Sequence, residues 1–191
     1  MRKIVFDIET RNDWNEVGVN DPSKLDLSLL GAYDYETDEY SSYLLEDLPK
    51  FFALVERADM LIGFNSDHFD IRVLTKYYPG NLKNIKSLDL MKEVRAAIGR
   101  RVSLDQIAEA TIGRGKSGHG MQAVTWWKQG DIENLRKYCL EDVKITKEIY
   151  EFARKHNQLK FREGGKDNLI PLSTSGWEEK QETAMTFSLP F

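Results

Sequence analysis

Residues 1–10 read Met1-Arg2-Lys3-Ile4-Val5-Phe6-Asp7-Ile8-Glu9-Thr10: a basic start, an apolar run, then two acids flanking an isoleucine. A short β-rich run of this kind, with no strand before it, predicts a central strand of a sheet. Side chains alternate along a strand, so Asp7 and Glu9 share one face, about 6 to 7 Å apart along the backbone. Neighbouring carboxylates repel, and neither stays ionised cheaply without a cation between them. The pair therefore suits a divalent metal, but it suits the solvated end of a strand as well. The rest of the chain has to decide.

At 191 residues the chain has the size of one domain, long enough to bury roughly 70% of the surface its unfolded form exposes. Its single cysteine, Cys139, leaves no intrachain disulfide to form and fits a reducing setting. No signal-peptide pattern and no apolar run of transmembrane length is present, so a soluble, cytoplasmic monomer is expected. The net charge of -4 argues against coating nucleic acid by bulk attraction. The charge is uneven, however. Residues 33–47 carry six acids and no base, whereas residues 91–116 carry six bases against three acids. Either one side faces a polyanion, or both are ordinary solvated surfaces.

Residues 11–24 are polar, contain Asp21-Pro22, and predict a loop. Residues 27–36 and 39–44 predict a hairpin, 47–57 a helix, 60–64 a short buried strand, and 67–77 a helix stopped by Pro79-Gly80. Residues 85–88 predict a further parallel strand feeding a helix over 89–98, and Ser103 is suited to cap a helix ending before Gly113. A glycine-rich loop fills 113–120. Helices over 121–129 and 132–156 follow, the second with one buried stripe through Leu135, Tyr138, Cys139, Val143, Ile145, Thr146 and Ile149. The order predicts an α/β domain over 1–157, a mixed five-stranded sheet flanked by helices. Residues 158–177 predict a small C-terminal hairpin packed on that domain and pinned by Trp177, and 178–191 a tail.

Two further acids carry chemistry. Asp70 lies in the first turn of the helix after the 60–64 strand, near that strand's C-terminal end, where α/β sheets collect ligands. Asp67 competes with it but reads as the helix cap. Tyr138 and Asp142 are four apart and share a helix face, with Glu141 turned to solvent. Taken singly, Tyr138 would be a core residue and Asp142 the partner of a lysine.

Taken in order, Phe6-Asp7-Ile8-Glu9-Thr10, Asn65-x-x-x-Phe69-Asp70 and Tyr138-x-x-x-Asp142 resemble the three exonuclease motifs of the DEDD superfamily on the ribonuclease H-like (DnaQ-like) fold. Tyrosine four residues before the last acid marks the DEDDy branch. The wording is similar to the proofreading domains of family B DNA polymerases. Ser103-Leu104-Asp105-Gln106-Ile107-Ala108, Gly115-Lys116-Ser117-Gly118 and Trp126-Trp127 resemble the YprB-like exonucleases more closely still, and the likeness covers about residues 1 to 177. It implies a metal-dependent 3'-5' exonuclease acting on single-stranded ends, DNA favoured over RNA, that releases nucleoside 5'-monophosphates and serves DNA repair. Asp7, Glu9, Asp70 and Asp142 would hold two Mg²⁺ or Mn²⁺ ions, and Tyr138 would orient the attacking water. A carboxylate-only ligand set with no cysteine or histidine suits these hard cations. Thr10, Asn65 and Phe69 would meet the substrate strand. Arg100, Arg101, Arg114 and Lys116 are candidates for phosphate contacts.

Gly115-Lys116-Ser117 does not complete a nucleotide-binding loop, because Ala110 stands where glycine is needed and a helix precedes it. A noncatalytic nucleic-acid or protein-binding module on the same fold is the rival, and the presence of all four acids and the tyrosine favours the enzyme. The terminal Thr186-Phe187-Ser188-Leu189-Pro190-Phe191 resembles the sliding-clamp-binding peptides of bacterial replication proteins, with Thr186 in place of glutamine. It would recruit the chain as an accessory subunit of replication or repair; otherwise Phe187, Leu189 and Phe191 dock on the domain itself.

Overall fold

The computed structural model describes residues 1–115 and 120–179. Its centre is β1, Lys3–Thr10. On one face Ile4, Phe6 and Ile8 enter a core with Leu48, Phe51 and Ile71; on the other Val5 packs with Val143, Ile145 and Ile149. The alternation that buries both faces leaves Asp7 and Glu9 on the side of Val5.

β1 pairs antiparallel with β2 (Leu27–Asp34), which pairs antiparallel with β3 (Glu39–Tyr43). On its other edge β1 runs parallel to β4 (Met60–Gly63), and β4 runs parallel to β5 (Lys86–Asp89). The mixed five-stranded sheet thus has the order β3-β2-β1-β4-β5. Between Thr10 and β2 lies α1 (Trp14–Val17), where a loop is expected. Asp13 and Glu16 close a capping box there, accepting each other's backbone N–H. Helix α2 (Leu48–Val55) carries Pro49 in its first turn, where the missing N–H costs nothing.

The helix expected over 67–77 shrinks to α3, Asp70–Leu74. Asn65 turns left-handed at φ 65°, and Asp67 does not cap the helix. Instead the Asp67 carboxylate accepts from Ser87 Oγ at 2.6 Å and pairs with Lys92 at 3.1 Å. Helix α4 (Leu90–Ile98) is capped by Asp89 and stopped by Gly99, and α5 (Leu104–Ile112) carries the Ser103-Gln106 capping box. Helices α6 (Gly120–Gln129) and α7 (Ile132–His156) follow. α7 lays its buried stripe across β1 and β2. Gly31 on β2 permits that approach, because a Cβ there would stand 2.9 Å from Cys139 Sγ and 3.1 Å from Val143.

The hairpin of β6 (Gln158–Glu163) and β7 (Lys166–Pro171) turns through Gly164 and Gly165, both at positive φ as such a two-residue turn requires. Leu159, Phe161, Ile170 and Leu172 share the α7 core. Trp177 stacks on Tyr150 with ring centroids 6.1 Å apart and donates from Nε1 to Glu93 at 3.0 Å. The acidic stretch 33–47 is not wholly a solvated surface. Asp34, at the buried end of β2, accepts from Arg2 at 2.5 Å. Lys116 and the clamp-like residues 186–191 lie outside the described residues. No described helix is long and apolar enough to cross a membrane.

Candidate active site

The C-terminal end of β1, the turn after β4, and α7 surround a pocket of about 440 Å³ whose walls include Asp7, Glu9, Asp70, Tyr138 and Asp142. The strand contributes the first two by its pleat, the start of α3 contributes Asp70, and one turn of α7 contributes Tyr138 and Asp142. Glu9, Asp70, Tyr138 and Asp142 are all under 9% exposed, so the acids are held rather than solvated. The described lining also holds Asp13 and no basic residue.

Asp70 Oδ1 accepts the backbone N–H of Ile8 at 3.1 Å. Burial foremost pushes its carboxyl up to about 7, helped by the charges of Asp89 and Asp142 and opposed by the backbone N–H groups of Asp70 itself and Ile8. A carboxyl so placed ionises readily only beside a cation. Cys139 also belongs here, a functional position that sequence reasoning missed. Its Sγ lies within 4.8 Å of carboxylate oxygens of Asp7 and Glu9 and 3.6 Å from the Asp7 carbonyl, to which the thiol donates. Burial, then the charges of Asp7, Glu9 and Asp142, raise the thiol well above its ordinary range. Without a cation the Cys139 thiol is therefore held protonated beside the acids, and the other donors of the pocket are oxygens. The only local signal for it is its place beside Tyr138 in the α7 stripe.

The expected strand contacts divide. Thr10 lines the pocket, and its hydroxyl donates to the Asn12 carbonyl at 2.9 Å. Phe69 lines the pocket and meets Trp14 edge to face at 6.0 Å. Asn65 sits at the rim, where its Oδ1 accepts from Arg101 at 2.7 Å. Arg100 is turned away by a two-pronged pair with Glu163, at 2.9 and 2.7 Å, and Arg114 reaches Glu148 at 3.3 Å and Glu141 at 3.7 Å. Glu141 is therefore not simply turned to solvent. Trp14 and Met121, at 37% and 61% exposed, add apolar surface to the mouth. Trp14 was hidden in a segment that reads as loop, although Asp13-x-x-Glu16 was the signal for its helix.

A family model described as RNase_H_2 of the RNase_H superfamily matches residues 4–154. Among solved structures, the chain is similar to the family B DNA polymerase from the hyperthermophilic archaeon Pyrobaculum calidifontis, with a TM-score of 0.62 and 20% identity over 81% of this chain. The match spans 24% of the polymerase chain. A comparison with curated proteins finds no match.

Proposed function

The chain belongs to the RNase H superfamily, and from that premise we propose that it is a 3'-5' exonuclease that hydrolyses single-stranded nucleic acid, DNA in preference to RNA. Nucleases of this superfamily use divalent metals, and the site suits them. Five carboxylates line one pocket, and three of them, Glu9, Asp70 and Asp142, are buried. Asp7, Glu9, Asp70 and Asp142 would hold a pair of Mg²⁺ or Mn²⁺ ions. Such ions supply Lewis-acid activation of water and neutralise charge on the phosphate.

The residues of the chain do the rest. Tyr138 orients the attacking water through its hydroxyl; an ordinary phenol, near pKa 10, is a poor base at neutral pH. The water oxygen bonds to the terminal phosphorus as the bond to the 3'-oxygen breaks, leaving a nucleoside 5'-monophosphate and a shortened strand with a 3'-hydroxyl. The backbone at Thr10 meets the strand end, and Trp14 with Phe69 offers a stacking surface for its base. The observation that carries this reading is the convergence of four acids and Tyr138 on one pocket. DNA is favoured because the polymerase in the structural comparison acts on it and because the three motifs resemble proofreading domains.

The test is a gel assay on 5'-labelled DNA and RNA oligonucleotides with Mg²⁺, Mn²⁺ or EDTA, using wild type, Asp7→Ala and Tyr138→Phe. Stepwise shortening from the 3' end that needs metal and Asp7 is expected, with Tyr138→Phe slowed about 10- to 100-fold. Activity surviving both EDTA and Asp7→Ala would defeat the reading; binding without hydrolysis in wild type would establish the noncatalytic module instead.

A further inference from the structure

A second pocket of about 380 Å³ adjoins the acidic one, with Asp67, Asp89, Lys92, Arg95 and Arg101 in its walls. Asn65 lines both pockets, so they share a rim. Their charges are opposite. Lys92, Arg95 and Arg101 are exposed cations, and the two acids beside them do not cancel them. Asp89 is buried and accepts the backbone N–H groups of Asn65, Asp67 and Met91 at 2.7, 3.1 and 3.0 Å. Asp67 does pair with Lys92, but at 71% exposure that lysine exchanges a carboxylate for a phosphate at little cost. The bond from Arg101 to Asn65 places its guanidinium on the shared rim.

Resting on the nuclease reading, the geometry points to this second pocket as the binding site for the phosphodiester backbone next to the reacting end of a single strand. A strand whose terminal phosphate enters a pocket of acids is repelled everywhere except where cations balance it. Lys92, Arg95 and Arg101 supply fixed positive charge one pocket away, where the next phosphates must pass. The asymmetry makes substrate length, rather than the terminal nucleotide, the quantity these residues govern.

The test compares wild type, K92A/R95A and the control K50A/K166A, which removes two exposed lysines elsewhere on the surface. Hydrolysis of dithymidylate and hexathymidylate is measured with Mg²⁺, and anisotropy of fluorescein-labelled hexathymidylate is measured with Ca²⁺ across a salt series. K92A/R95A is expected to lose about 5- to 20-fold in kcat/KM on the hexamer, through KM, with little change on the dimer. Its salt slope should shrink by about one to two, while the control changes less than about twofold. Equal losses on both lengths, or in the control, would overturn the proposal. If no form of the protein hydrolyses either oligonucleotide, the nuclease reading fails by itself. The anisotropy then decides the pocket, and unchanged hexamer affinity in K92A/R95A dismisses it.

Discussion

Asp70 Oδ1 accepts the backbone N–H of Ile8, 62 positions earlier, at 3.1 Å. This bond ties the start of α3 to the stretch of β1 between Asp7 and Glu9. It brings Asp70 to the pocket that Asp7 and Glu9 also line, and makes Asp70 serve the fold and the chemistry at once. The two roles separate on substitution. Asn in place of Asp keeps an acceptor for Ile8 but removes a buried charge. Asp70→Asn should therefore lose at least about 100-fold in activity yet gain roughly 1 to 3 kcal/mol of stability without metal at pH 8. Denaturant unfolding beside the gel assay checks both signs; a variant that is inactive and also less stable would refute the assignment.

The same carboxyl sets a pH dependence. Its folded value is raised from 3.8 to about 7, so between those values the folded state holds more protons than the unfolded one. Metal-free stability should then fall as pH rises from about 4 through about 7. Cations compete with that proton, so Mg²⁺ should bind more tightly on the alkaline side. Thermal unfolding with and without Mg²⁺ at pH 5.5 and 8 reads the effect. An equal metal-induced shift at the two pH values would show that Asp70 is no ligand.

Gly31 and Cys139 set how closely α7 seats on the sheet. Gly31→Ala puts a methyl 2.9 Å from Cys139 Sγ. It should cost about 1 to 3 kcal/mol and lower activity by displacing Tyr138 and Asp142. Cys139→Ala removes the nearest obstacle and leaves Val143 at 3.1 Å, so the double variant should recover part of both losses. Cys139→Ala alone should keep its Mg²⁺ affinity, because this hard cation takes the carboxylate oxygens of the pocket. A marked drop in that affinity would make the cysteine a ligand.

Far from the pocket, Glu178 closes the C-terminal turn onto Lys3 at 2.7 Å, Tyr150 at 2.5 Å and Arg154 at 2.9 Å. Desolvation raises its carboxyl, but hydrogen bonds from Lys3 and Tyr150 and the charges of Lys3 and Arg154 outweigh it and bring the value down to about 2. A lowered folded value adds stability that is present above the unfolded 4.5 and lost as pH falls through about 2. Glu178→Gln should lower the melting temperature by a few degrees at pH 7 and flatten the acid limb in that window. Nuclease activity at low temperature should be kept. An acid limb identical to wild type would mean that the cluster adds nothing.

Features that depend on neighbours along the chain were legible before any fold was known. Alternation placed Asp7 and Glu9 on one face of β1, the helical period put Tyr138 and Asp142 on one side of α7, and Ser103 and Gly113 bounded α5. These signals act within one strand or a few turns. The length of α3 escaped because its start depends on Asn65, whose left-handed turn is held by Asp89, 24 positions away. Tertiary structure alone decided that four acids share a pocket, that Cys139 lies beneath them, that Arg100 and Arg114 are taken by acids of their own chain, and that cations gather beyond Asn65. Cys139 donates to a carbonyl 132 positions away. Contacts of that reach are settled by packing on the two faces of the sheet, and packing leaves no local pattern to read.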